Sequence, residues 1–274
     1  MSHSISRAGP AGWLLPVCLV AAAWIPLHAD TAPPAPPEAI LSLALEAAGI
    51  EALLASVLPT LEAELGVGCG ALDRQRRTAL FDAQALLGRF TDAVAAQADG
   101  ELLEGIAAWY DSEAGQAIAR HEAAAAMLDE ASVERRFEQI SARPDWPQRA
   151  GVLRTNLKRT GTAPFLARFH NGVDGAIAAL RACRPSSSDR AALAEARAGA
   201  RQDEPLVAFF MQAGLVAPSA VIYEGLSDGR LQAYDDFALS AEGQRWFAAL
   251  RRALGETWDG ALEQLMVERT AGAH

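Results

Sequence analysis

Cysteine, lysine and histidine are scarce in this chain of 274 residues. It has three cysteines, five histidines and, at Lys158, a single lysine. The lone lysine beside many arginines reads as compositional bias rather than as a signal. Aromatics make up only 7%, and neither alternating apolar residues nor an Asn-Gly hairpin signal occurs. Those absences exclude a sheet protein, because half-buried strands need period-two patterning and tight turns. What is present is alanine, leucine and arginine spaced by threes and fours, so the expected fold is all-α with no sheet.

The first 29 residues read as an export signal. Arg7 precedes the apolar run from Trp13 to Ile25, and Leu27-His28-Ala29 supplies a small-residue cleavage site before Asp30. The run is shorter than the roughly 20 residues of a spanning helix, so no stable membrane span is expected after cleavage. The expected location is periplasmic or secreted. Cleavage removes Cys18, His3, His28 and Arg7 and leaves 23 basic against 34 acidic residues, a net charge of −11. A chain this acidic is not held by nucleic acid or anionic lipid through bulk charge. The surviving thiols, Cys69 and Cys183, stand in an oxidising compartment and read as one disulfide, with two free thiols as the alternative.

Residues 30–37 form a proline-rich, extended lead-in. Beyond it, module 1 spans 38–143 and module 2 spans 149–270, separated by Pro144 and Pro147. In module 1, Gly49 divides two helices. The stripe Leu53, Leu54, Val57, Leu58, Leu61 and Leu65 marks one face, with a kink or break at Pro59. A helix is expected from Asp73 to Ala98, ended by Asp99-Gly100, and a long one from the Ser112 cap through Met127 to Phe137. In module 2 the expected helices are 149–159, 163–182, 189–199, 204–214, 229–238 and 240–268.

The second module repeats features of the first. A shift of 112 carries Leu45 to Leu157, Gly49 to Gly161, Leu54 to Leu166 and Leu61 to Val173. A shift of 128 carries Trp109 to Phe237, Ser112 to Ser240 and Gly115 to Gly243. The expectation is two related multi-helix modules, an internal pseudo-repeat, set against the coincidence of alanine-rich helices sharing a period. Under duplication, Cys69 and Cys183 lie two residues from equivalence, which favours their pairing near a pseudo-twofold axis.

Two segments carry a resemblance, Leu-Glu-Ala-Ala-Gly-Ile-Glu-Ala-Leu-Leu at 45–54 and Trp-Tyr-Asp-Ser-Glu-Ala-Gly-Gln at 109–116. Together they resemble the exported bacterial family known as domain of unknown function 2059, here in two tandem copies. The resemblance covers 38–130 and, through the repeat, extends less closely over 150–268. It implies a small all-helical periplasmic domain with an aromatic-x-Ser-x-x-Gly turn between two late helices. It implies no reaction, because the family has none assigned. The second copy has Ala238 and Leu239 in place of Tyr110 and Asp111.

Few residues could carry chemistry. His170, with Asp174 one turn later on an apolar face, could serve as a general base or half a metal site, or be a satisfied core histidine. His121 and Glu122, with Asp111, could form an imidazole and acid cluster or a solvated helix face. Ala125 breaks the His-Glu-x-x-His pattern of zinc proteases. Ser112 and Ser240 read as helix caps rather than nucleophiles. The Gly66-to-Gly70 run lacks the strand and Lys-Ser/Thr of a phosphate loop. Paired acids such as Asp235 and Asp236 are ordinary on an acidic surface. Trp109, Tyr110, Phe237 and Trp246 cluster with Phe247 and Trp258 around the two turns, as core or as the lining of a groove between modules.

No cofactor or metal is called for. The expected role is non-catalytic, binding an unidentified protein partner or an apolar small molecule in the cell envelope. The alternative is a periplasmic hydrolase or metal-dependent enzyme using His170 with Asp174, or His121 with nearby acids.

Overall fold

Helix ends in this protein are written by side chains that accept backbone N–H groups. Asp82 accepts from Gln84 and Ala85, Asp99 from Leu102, and Asp129 from Ser132, each with extended backbone at the cap. Ser112 and Ser240 accept from Gly115 and Gly243, both at 3.0 Å. Each such bond satisfies one of the orphan donors at a helix start. The computed structural model describes residues 36–65, 70–125, 129–181 and 187–271, and among these it contains fourteen helices and no strand.

They are α1 (Pro37–Ala47), α2 (Ile50–Ala55), α3 (Val57–Leu65), α4 (Gly70–Phe81), α5 (Ala83–Ala95), α6 (Gly100–Asp111) and α7 (Glu113–Ala125). There follow α8 (Glu130–Ser141), α9 (Trp146–Thr160), α10 (Thr162–Arg181), α11 (Ser187–Gly214), α12 (Val216–Ile222), α13 (Asp228–Leu239) and α14 (Ala241–Ala271). The all-α expectation stands. The export signal and the Cys69–Cys183 pair lie outside the described residues, as does most of the glycine run at 66–70. No single described helix is long and apolar enough to cross a membrane.

Five expectations about helix boundaries differ from the structure. The helix expected from 73 to 98 is broken by the Asp82 cap, and the one expected from 113 to 137 is two helices, the second capped by Asp129. In module 2 the expected gap between 199 and 204 is helical. There α11 runs through Pro205, and its packing against α10 outweighs the roughly 3 kcal/mol that an interior proline costs. The short α12 falls where a connection was expected. The break near Pro59 falls three residues earlier, at Ser56, so that Pro59 sits in the first turn of α3, where its missing N–H is harmless.

Gly49 and Gly161 both adopt left-handed backbone, with φ of 61° and 67°, and each turns the chain between two helices. The two serine turns are also built alike. A Cβ on Gly115 would lie 2.1 Å from the Trp109 carbonyl oxygen, and one on Gly243 would lie 1.9 Å from that of Phe237. Only glycine fits either turn.

Packing interlocks the two halves of the chain. The largest core joins Leu54, Phe81, Leu86, Phe90 and Ile106 of the first half to Phe169, Trp258 and Leu265 of the second. Each such fully buried side chain contributes about 1.5 to 3 kcal/mol. The last helix, α14, lies against α5, α6 and α10, whereas α7 lies against α12 and α13. At Gly172, α10 comes so close to α14 that a Cβ would stand 2.2 Å from the Trp258 ring. Along α14, residues Trp246 to Arg251 leave space beside them, and that space is the candidate site.

Candidate functional site

All three tyrosines of the sequence converge on one cavity of about 110 Å³. Tyr110 comes from the end of α6, Tyr223 from the residue after α12, and Tyr234 from α13. Apolar walls are supplied by Ile50, Leu157, Phe165, Leu215 and Leu250. The volume is on the scale of a single ring or short acyl chain, below the roughly 300 Å³ at which drug-sized pockets begin.

Glu122 of α7 lines this cavity with only 7% of its surface exposed. The Tyr223 hydroxyl donates to its Oε1 at 2.5 Å. Burial pushes the Glu122 carboxyl up to about 7, and the Tyr223 bond opposes that rise. Burial, reinforced by the Glu122 charge, also raises all three phenols above their usual value. They therefore stay protonated at neutral pH and act as neutral hydroxyls. A hydrogen bond from the Trp246 indole N–H to Tyr110 ties α14 to the same cluster. No hydrogen bond to the Tyr234 hydroxyl forms among the described residues.

Arg251 brings a positive charge to the lining. It stands five residues beyond Trp246, hence about 7 Å further along α14. Its guanidinium lies over the Thr160-Gly161-Thr162 turn, where a Cβ on Gly161 would come within 2.4 Å of one guanidinium nitrogen. Burial lowers its pKa, as does the neighbouring Arg168, while Glu204 acts in the other direction. Glu204 is already taken, since Arg168 donates to both of its oxygens at 3.0 and 2.8 Å. No described residue forms a hydrogen bond or ion pair with the Arg251 side chain. Arginine remains a cation throughout the physiological range.

An aromatic wall backs the cavity. Trp109 stacks on Phe237 with centroids 4.4 Å apart and planes 5° from parallel, and on Tyr234 at 5.8 Å. Phe247 meets Phe237 nearly edge-on at 6.0 Å. Of the residues expected to line a groove, Tyr110 and Trp246 face the cavity, and Trp109 and Phe237 form the layer behind Tyr234. Trp258 belongs instead to the core, near Phe81 and Phe169.

The histidine candidates lie outside the cavity lining. His170 rests edge-on against Phe169 at 5.8 Å, and burial is the only cause lowering its pKa. Asp174 is raised by partial burial and Glu64 and lowered by Arg181, with no part played by His170. His121 and Glu122 are not a solvated pair. His121 Nδ1–H donates to the Ile222 carbonyl at 3.0 Å, and its ring packs over Gly225. It pins the end of α12, while its neighbour Glu122 enters the cavity. Asp235, expected on an acidic surface beside Asp236, is buried too. It accepts from Asn156 at 3.0 Å and from Arg159 at 2.8 Å. Among the described residues no three of His, Cys, Asp or Glu converge on a point that could hold a metal ion.

Tyr223 and Arg251 were missed as site residues, and Glu122 was expected only in a cluster with His121 and Asp111. Glu122 follows the buried Ile118 by four, and Arg251 follows Phe247 by four, so each stands one turn along an apolar face. A charge on a core stripe was the available signal. Tyr223 gave none, because its short helix was itself unexpected.

Comparison of the chain with protein-family models, with characterised proteins and with solved structures finds no match. The protein is therefore defined by its own features: an all-helical chain that encloses a small cavity bearing three phenols, one acid and one arginine.

Proposed function

We propose that this is an exported, non-catalytic binding protein whose cavity holds an apolar small molecule. The observation that carries the reading is the convergence of Tyr110, Tyr223, Tyr234, Trp246 and Glu122 on a partly apolar cavity lined from eight helices. Concave sites with apolar walls and a few placed polar groups are built for small ligands. The hydrolase alternative has less behind it. Neither His170 nor His121 lines the cavity, and Glu122 is the only carboxylate that does. Kinship with domain of unknown function 2059, and descent from a duplicated module, remain part of the proposal. The paired glycine and serine turns, together with the stacking of Trp109 on its counterpart Phe237, support the duplication.

Native mass spectrometry of protein taken from its own cell envelope tests the ligand reading. A bound small molecule is expected, and it should be lost on Ala48→Phe, which fills the cavity while helical content stays unchanged. A bare mass under gentle conditions sinks this reading.

A specific observation favours a second role, docking of a protein partner. Leu206, Phe209 and Phe210 on α11 are 58%, 70% and 66% exposed. Apolar side chains this large, grouped on one helix end, mark interaction surfaces. Replacing all three with serine should leave the fold intact and abolish co-purification of that partner. Unchanged co-purification removes the role.

A further inference from the structure

We propose that the cavity ligand is a small organic acid whose carboxylate is held by Arg251, with a single ring or short chain as its body. The inference rests on the ligand-binding reading and adds the chemical class. It starts from an imbalance in the lining. Arg251 is a half-buried cation without an anionic partner among the described residues, and the acid nearest in charge to it, Glu204, is engaged at both oxygens by Arg168. Arg168 also donates to the Arg251 backbone carbonyl at 3.0 Å, and its charge acts on the Arg251 guanidinium.

The protein accommodates this arrangement rather than avoiding it. Gly161 has left-handed backbone, and its missing Cβ makes room for the guanidinium. Two like charges that share the influence of one acid leave a net positive place in the wall. A planar carboxylate meets such a guanidinium with two parallel hydrogen bonds, a geometry lysine cannot supply. The Thr162 hydroxyl, 2.7 Å from that of Thr160, borders the same place.

The rest of the lining sets the remainder of the ligand. The same lining holds Leu250, Phe165 and Leu157, which accept an apolar body. It also holds the Glu122–Tyr223 pair and the Tyr234 hydroxyl, which accept or donate one hydrogen bond to a polar tip. A volume of about 110 Å³ fits one ring or a short chain.

Calorimetric titration of the full chain at pH 6 provides the test, with 4-hydroxybenzoate as probe and 4-hydroxybenzyl alcohol as its neutral counterpart. The acid should bind at one site at least ten-fold more tightly than the alcohol, the scale of a charge-assisted hydrogen bond. Arg251→Gln should erase that preference, bringing the affinity for the acid down to that for the alcohol. Arg251→Lys should keep part of the preference, and circular dichroism should report the same helical content for all three proteins. Equal affinities for acid and alcohol in the unsubstituted protein overturn the organic-acid inference but leave the cavity reading standing. So does a preference that survives Arg251→Gln. Failure of both compounds to bind overturns both readings.

Discussion

Two carboxylates are buried among the described residues of this protein, and they are treated differently. Asp235 is 3% exposed, and both of its oxygens are matched, one by the Asn156 amide and the other by the Arg159 guanidinium. Glu122 is 7% exposed and receives a single bond, from a neutral phenol. A matched acid fastens α13 to α9. An unmatched acid facing empty space fastens little, and its desolvation works against the fold whenever it is ionised. The contrast separates a structural polar cluster from a site.

The largest effect that sharpens the contrast is a pH dependence. The native Glu122 carboxyl keeps its proton to about pH 7, while the unfolded one releases it near 4.5. Between those values the native state binds more protons, so this group's stabilisation is fully present below pH 4.5 and is lost as pH rises through 7. The rise from 4.5 to about 7 corresponds to roughly 3 kcal/mol. Urea unfolding of the wild type and Glu122→Gln across pH 4.5 to 8 should show the wild type losing about that much relative to the variant. Parallel curves remove Glu122 as a buried, unmatched acid.

Next in size is Asp235→Ala, which strands Asn156 and Arg159. Because Arg159 is about one-third exposed, the cost falls below that of a fully buried pair, at about 2 to 3 kcal/mol. It should vary little between pH 6 and 8. A cost under 1 kcal/mol in the same unfolding assay would make the two acids alike.

Tyr223→Phe removes the one bond that lowers the Glu122 pKa. The expected loss is about 1 kcal/mol at pH 5 and more at pH 8, since the carboxylate loses its only donor. Equal losses at both pH values contradict the pairing. Smallest of all is Arg251→Gln. A cation without a partner contributes no net attraction, so thermal unfolding without ligand should shift by less than about 0.5 kcal/mol. A large loss would mean that Arg251 has a structural role like that of Arg159.

The helical class, the turns at Gly49 and Gly161, and the serine caps at Ser112 and Ser240 were legible in the sequence, because each depends on residues within four positions of one another. The Asp82 and Asp129 breaks were not legible. An aspartate within an alanine-rich periodic stretch looks like a surface residue, and only its extended backbone reveals the cap. Of the aromatics expected around the two turns as core or groove, Tyr110 and Trp246 reach a shared cavity, whereas Trp258 lies in the core. His170 rests edge-on against Phe169 and Asp174 feels burial, Glu64 and Arg181, since helical spacing puts two residues on one face without deciding what each touches.

What the sequence determined by itself was local: helix periods, glycine turns, serine caps and an acidic chain poor in metal ligands. Those features follow from short-range geometry, which a few neighbouring residues fix. Only the tertiary structure decided that α14 returns to pack on α5 and α6, that Glu122 and Arg251 face one cavity, and that Glu204 is taken by Arg168. The reason is physical. Burial and charge balance are sums over residues far apart in the chain, and they take values only when the helices have packed.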